Sequence, residues 1–297
     1  MNISLRQLRL FEAIARLGRL TLAADEQAIS QSAASQSIRE LERQLGYSLL
    51  QRLGREVHLT EAATQILPRL RQMLLLAESL QQPDQNRVAG PLRLAASVTI
   101  ACYLLPDLLA QLLDRHPEVD PSVSILNTDA VLEALSKGQA HFGLIEGPAL
   151  HQELLIEPWR SDELALFCHP ELAPDGNQAS LAWLAEQFWL VRESGSGTRA
   201  VFDIAMQAQG IQPRIRLEMS RQEAIKRAAQ ARLGIGVLSR LAVVEEVRTG
   251  ALCELSSPLN LRRQFSWLCP VERLELPTTR AFLKLLKESD TSIDNRR

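Results

Sequence analysis

Residues 29–46 read ISQSAASQSIRELERQLG. Ala34, Ile38, Leu41 and Leu45 recur at spacings of three and four, the repeat of one helix face, and Gly46 supplies a C-terminal stop. The opposite face carries Ser32, Ser35, Gln36, Arg39 and Arg43. Those hydroxyls, amide and guanidinium groups hydrogen-bond base edges and phosphates when a helix lies in the major groove. Taken alone, the same stripe equally describes a helix whose polar side faces water.

The flanking sequence favours the groove. Ser4 followed by Gln7 has capping-box spacing and opens a helix that carries Leu8, Phe11 and Ile14 and closes at Gly18. A short second helix is expected with Thr21 as its cap, Ala23 and Ala24 permitting close helix contact, and a turn at Ile29 and Ser30. Beyond the striped helix, LLQRLGREVHLT (49–60) reads as two extended runs around Leu53 and Gly54, carrying Arg52, Arg55 and His58 past the helix end. Three helices and a basic hairpin make a winged helix-turn-helix, with the wing reaching flanking backbone or the adjacent minor groove.

Residues 1–90 resemble the DNA-binding end of LysR-type transcriptional regulators. The resemblance is carried by LRQLRLFEAIARLG (5–18), the Ala23 and Ala24 pair, SQSAASQSIRELERQLG (30–46) and LLQRLGREVHLTEAA (49–63). It implies that Gln31, Ser32, Ser35 and Gln36 enter the groove of double-stranded promoter DNA, with Arg39 on the same stripe and Arg52 and Arg55 in the wing. Ser32 stands where the family commonly has proline, and Gln36 where it commonly has arginine.

Composition suits a regulator better than a bulk coater of nucleic acid. The 297 residues carry a formal net charge of −2, and residues 1–60 hold eight Arg against six Asp or Glu. Non-specific affinity is then modest, and dimerisation is needed to double the phosphate contacts. Cys102, Cys168, Cys253 and Cys269 form no CxxC pair and meet no His cluster, so reduced buried thiols are expected, with neither a metal site nor a disulfide framework. The start, MNISLRQLRLF, reads as a polar amphipathic helix rather than a signal peptide, and no apolar run reaches membrane-spanning length. A cytoplasmic protein without membrane contact or cofactor is expected.

Thr60 can cap a longer helix in which Leu67, Leu70, Leu74, Ala77 and Leu80 form an apolar stripe that a twin helix in a second chain could bury, giving a homodimer. Pro83 ends it within the linker QQPDQNRVAGP. Residues 61–90 are thus linker helix and hinge, after a DNA-binding domain at 1–60.

From Leu92 onward, extended and helical runs alternate, the pattern of a parallel α/β sheet. Extended runs at 92–96, 123–126 and 142–145 precede a second set at 164–168, 188–191, 215–217 and 235–238, and the chain returns through 264–269 and 278–287. The fold class expected is α/β: a two-lobed, periplasmic-binding-protein-like effector domain over 91–297, with lobe I at 91–163 and 266–290 and lobe II at 164–265. Ser97 and Thr99, then Asn127 and Thr128, follow strand ends and face the crevice. RESGSGTR (192–199) sets Ser194, Ser196 and Thr198 with flexible glycines before a helix, which describes an anion site or simply a capped helix.

ASVTIACYLLP (96–106), FGLIEGP (142–148), EPWRSDELALF (157–167), VRESGSGTR (191–199) and EAIKRAAQARLGIGVLSR (223–240) resemble the CysL-like branch of LysR-type regulators, whose members respond to sulfite and other sulfur compounds. That resemblance implies a small anionic effector, with sulfite first, and a pocket of Ser97, Thr99, Asn127, Thr128, Glu146, Glu193, Ser196 and Thr198. It also implies a homotetramer. Glu146 and Glu193 oppose an anion unless they are neutralised or accept bonds from a protonated ligand such as bisulfite, and they equally describe structural salt bridges on the cleft rim. Arg221 offers the alternative of a small carboxylate, and a non-regulatory solute-binding protein would share the cleft. An enzyme is not expected: Ser194 to Gly197 is no nucleophile elbow, and GIGV at 234–237 lacks a dinucleotide fingerprint.

Overall fold

A computed structural model describes residues 3–53, 56–79 and 88–294. They form two compact units, one built chiefly from the chain up to Val88 and the other from the remainder.

The first unit contains α1 (Leu5–Leu17), α2 (Leu20–Glu26), α3 (Gln31–Leu45), the strands β1 (Leu50–Leu53) and β2 (Glu56–Leu59), and α4 (Glu61–Ser79). Most ends are set by the caps legible in the sequence. Ser4 Oγ accepts from Gln7 N at 3.2 Å while Gln7 Oε1 accepts from Ser4 N at 2.9 Å. Thr60 caps α4 through Ala63 N at 3.1 Å, and Ser30, read from the sequence only as a turn residue, caps α3 through Ala33 N at 3.2 Å. Gly18 and Gly46 close α1 and α3 in the left-handed region that favours glycine. Thr21 is a correction. The Arg19 carbonyl already accepts from Ala23 N at 3.2 Å, so Arg19 holds the cap position, α2 starts two residues earlier and Thr21 lies in its first turn.

Leu8, Leu10, Phe11 and Ile14 of α1 meet Ala23, Ala24, Ala34, Ile38 and Leu41 in one apolar core. Leu67, Leu70 and Leu74 of α4 belong to the same core. The α4 stripe expected to await a second chain is therefore covered by its own chain in this part, because α1 offers a matching apolar face. Glu42 Oε1 accepts from the backbone nitrogens of Leu49 and Leu50 at 2.7 and 3.1 Å, tying the end of α3 to the start of the wing.

The second unit begins with β3 (Gly90–Ser97), α5 (Val98–Tyr103), α6 (Leu105–Arg115), β4 (Val119–Leu126), α7 (Thr128–Ser136) and β5 (Phe142–Glu146). It continues through β6 (Leu154–Cys168), α8 (Leu181–Glu186), β7 (Phe188–Arg192), α9 (Gly197–Ala208), β8 (Arg214–Met219) and α10 (Gln222–Gln230). The last elements are β9 (Ile235–Ser239), α11 (Arg240–Arg248), β10 (Cys253–Leu255), β11 (Arg262–Pro270) and α12 (Pro277–Asp294). Strand order is β4-β3-β5-β11-β6-β9-β7-β8, with β10 also on β6.

The sheet is mixed, which corrects the expectation of a parallel one. β3 runs parallel to β4 and β5, and β7 to β8 and β9, whereas β6 and β11 run antiparallel to their neighbours. β6 is also longer than its apolar run at 164–168, since its first part pairs with β11 in a half-exposed ribbon. Glu163 still pairs with Arg262 of β11, while Leu164 pairs with Ser239 of β9. These two strands carry the chain between the lobes and position what lies at their crossing.

Leu41 is fully buried beneath the polar stripe of α3. Leu41→Ala is expected to cost about 2–5 kcal/mol, read as an earlier first transition in urea unfolding of the whole chain.

Candidate functional site

In the first unit, Gln31, Ser32, Gln36 and Arg39 are exposed on α3 and Ser35 is half-buried, whereas Ala34, Ile38 and Leu41 point inward. Arg39 donates to Ser35 Oγ at 3.1 Å, and Ser30 and Ser32 share a hydroxyl contact at 2.9 Å, so the stripe is partly ordered by its own bonds. Arg43 is engaged by Glu40 at 2.5 Å, and with Gln44 it holds the Glu40 carboxyl down at about 2. Arg52 sits on β1 opposite Val57. Its side chain, and all of Arg55, lie outside the described residues.

In the second unit, Ser97, Thr99, Thr128, Glu146, Ser196 and Thr198 are all buried where the two lobes meet. The carboxylate of Glu146, at the end of β5, is their focus. Its Oε1 accepts from Thr99 N at 3.1 Å, and its Oε2 accepts from Thr99 Oγ1 at 2.9 Å and from Thr198 Oγ1 at 3.2 Å. The Arg263 guanidinium completes the set at 2.5 Å. Donors from α5 in lobe I, α9 in lobe II and the returning strand β11 thus converge on one carboxylate.

Arg263 was not anticipated from the sequence. Its side chain is fully buried, with Nε on Asp162 Oδ2 at 2.6 Å and Nη1 also donating to Thr198 Oγ1 at 2.9 Å, while Nη2 has no hydrogen-bond partner among the described residues. Asp162 in turn accepts from Ser239 Oγ at 2.9 Å, and Gln222 Nε2 donates to Thr99 Oγ1 at 2.9 Å. Arg263 shares one face of β11 with Phe265 and Trp267, so a charge at an inward strand position was the available signal. Burial works against ionisation of Glu146, but Arg263 and the Thr99 donors outweigh it and hold this carboxyl below its usual range.

Other predicted residues hold the lobes together around this centre. Asn127 caps α7 through Ala130 N at 3.0 Å and reaches across to Glu193 Oε1 at 3.4 Å. Glu193 is held by Arg192 at 2.8 Å, and burial is again outweighed by that guanidinium, so its carboxyl titrates low. Thr128 Oγ1 donates to the Glu146 carbonyl at 3.0 Å, and Asp129 N donates to the Gly195 carbonyl at 3.2 Å. A Cβ on Gly197 would overlap the Glu146 carbonyl, so only glycine allows this approach. Ser196 occupies the N-cap position of α9 without a side-chain capping bond. A cavity of about 230 Å³ between Thr128, Asp129 and Pro148 on one side and Ser194 to Gly197 with Arg199 on the other opens beside the junction. A wider depression of about 840 Å³ is lined by Asp162 and Arg263 together with Arg240, Leu241 and Val244.

Family comparison settles what this architecture belongs to. Residues 5–64 match the model of the bacterial regulatory helix-turn-helix protein, lysR family, and residues 85–291 match the LysR substrate binding domain. This chain is a LysR-family transcriptional regulator. The HTH-type transcriptional regulator YeiE of Escherichia coli (strain K12) is 34% identical over 269 residues, spanning 90% of this chain and 91% of YeiE. CysL of Bacillus subtilis (strain 168) is 31% identical over 288 residues, 95% and 96% of the two chains. Full-length OxyR from Pseudomonas aeruginosa shares the fold at a TM-score of 0.75 and 22% identity, covering 97% of this chain and 95% of that one.

The matched families and relatives are DNA-binding regulators rather than enzymes, with an effector-binding domain behind the helix-turn-helix. Among the described residues no helix is long and apolar enough to cross a membrane, and no cluster of His, Cys, Asp and Glu could hold a metal.

Arg263→Met strands Glu146 and Asp162 without their cation and is expected to cost about 3–5 kcal/mol, with much of the loss recovered by adding Glu146→Gln. Paired thermal melts of single and double variants check this. Because folding lowers the Glu146 carboxyl below 4.5, its contribution is complete above that pH and disappears as acid protonates the folded form. Melting midpoints followed down to about pH 3 should fall less steeply in Glu146→Gln than in the parent.

Proposed function

We propose that this LysR-family regulator acts in the cytoplasm as a homotetramer, reads promoter DNA through α3 and the wing, and is controlled by a small sulfur oxyanion, sulfite first, bound where the lobes meet. For DNA, the supporting observation is segregation on α3, with Gln31, Ser32, Gln36 and Arg39 exposed above a closed apolar core. Gln31, Ser32, Ser35 and Gln36 take the base-reading positions, and Arg39, Arg52 and Arg55 the phosphate and minor-groove positions. Pairing of subunits through α4 draws on the side exemplified by Met73, which is 54% exposed, since the opposite stripe is already used.

For the effector, the observation that carries the reading is the convergence of Thr99, Thr198 and Arg263 on one buried carboxylate. Those donors suit an oxyanion, and Ser97, Asn127, Thr128, Glu193 and Ser196 frame them. Glu146 and Asp162 already flank Arg263 with two negative charges, so a fully ionised ligand is repelled. A protonated one, such as bisulfite, donates to Glu146 while accepting from the hydroxyls. The 31% identity to CysL supports the sulfur-responsive branch.

Calorimetric titration of the full chain with sulfite, sulfate, thiosulfate and small carboxylates tests the ligand. Sulfite binding should weaken as pH rises and bisulfite loses its proton; binding of sulfate or a carboxylate in its place overturns the choice. Thr99→Ala and Thr198→Ala should each lower effector affinity about tenfold or more without changing DNA affinity. Gln36→Ala and Arg39→Ala should weaken operator binding by about 1–3 kcal/mol, with base preference relaxed in the former. Wild-type affinity and preference in both variants would remove α3 from the groove.

A further inference from the structure

Cys168 is the last residue of β6 and Cys253 the first of β10, and the two stand directly opposite in the antiparallel register. Their sulfurs are 3.6 Å apart, the separation of two unbonded sulfurs in contact. Cys168 is buried in the lobe II core with Leu166, Val237 and Leu255, whereas Cys253 is half-exposed on the border of that core. Both thiols are free. Opposed residues of an antiparallel pair have Cα atoms about 4.5–5.5 Å apart, inside the span of roughly 4.4–6.8 Å that a disulfide bridges. Only rotation about the side chains and a small shift of one strand separate this contact from a bond. β10 can supply the shift: it is three residues long, and among the described residues its only strand partner is β6.

We propose that Cys168 and Cys253 form an oxidisable dithiol pair that a hydroperoxide converts into an intrachain disulfide. The half-exposed Cys253 reacts first. Its thiolate sulfur attacks one peroxide oxygen, the O–O bond breaks, and the departing hydroxide takes a proton to become water, leaving a sulfenic acid. The Cys168 sulfur then attacks the Cys253 sulfur, the S–O bond breaks, and the leaving hydroxide carries away the Cys168 proton as a second water. Two thiols lose two electrons, and hydrogen peroxide is reduced to two waters. Burial and the adjacent sulfur push the Cys168 thiol up, which suits the second sulfur rather than the first. The bond closes a loop running from the end of β6 to the start of β10, most of lobe II, and so restrains that lobe in the unfolded chain.

The full-length protein is treated with hydrogen peroxide, quenched, denatured and labelled with N-ethylmaleimide, and then weighed intact and as non-reduced peptides. The reduced chain should take four labels, one per cysteine, and the oxidised chain two, with a Cys168–Cys253 cross-linked peptide that dithiothreitol reverses. The oxidised form should melt about 5 °C or more higher. Cys253→Ser should yield no cross-link, while Cys102→Ser, at the exposed cysteine elsewhere, should retain it. Four labels after oxidation, a cross-link through another cysteine, or sulfinic acid on Cys253 without the Cys168 partner overturns the proposal.

Discussion

A guanidinium sealed between carboxylates governs the effector domain. Arg263 and Asp162 face one another in the register of β11 and β6, the two strands that pass between lobes, and Glu146 closes on the same guanidinium from the end of β5. Removing these charges from water costs several kcal/mol per ion, which only close pairing and further hydrogen bonds offset. The threonines and Gln222 are thus more than a lining. Each satisfies an oxygen that would otherwise be desolvated without a partner, and they arrive from both lobes. Closure of the lobes and neutralisation of the charges are one event.

Close approach follows from that requirement. Thr198 can reach Glu146 only if the first turn of α9 lies against the end of β5, and this is where Gly197 meets the Glu146 carbonyl. The flexible run Ser194 to Gly197, which as sequence read equally as an anion loop or a capped helix, serves closure: Gly195 offers its carbonyl to Asp129 N, and Ser196 leaves its capping position unused. Electrostatics, backbone freedom and strand topology all act at the junction of β5, β6, β11 and α9.

The helix-turn-helix was largely legible because its signals are local. Caps at Ser4 and Thr60, the turn at Ile29 and Ser30, stops at Gly18 and Gly46, and apolar spacing in α1 and α3 each depend on residues a few positions apart. Thr21 misled because a good capping residue lost to a helix already begun at Leu20, with Arg19 in the cap position. In the second unit the apolar runs located most strands but not the antiparallel crossing, since the ribbon formed by the first part of β6 is half-exposed and lacks a continuous apolar run. The hydroxyls after strand ends were found by position. Arg263 was not, because its partners are 101 and 117 residues away in sequence and no local rule links them. Its alternation with Phe265 and Trp267 was the one local trace.

The bonds that Glu146 already makes constrain how an effector bound at this junction could signal. A ligand that merely takes over the bonds now made by Glu146 leaves the closed arrangement about as stable as before, and equal affinity for two arrangements shifts neither. On the reading proposed above, the signal comes from what the ligand adds or displaces: a proton shared with Glu146, a bond to Nη2 of Arg263, which has no hydrogen-bond partner among the described residues, or a carboxylate moved out of the junction. The first two tighten the lobes, and the third loosens them. On the same reading, the protonation state of an incoming oxyanion would decide among them, since Arg263 is already bracketed by negative charge on both sides.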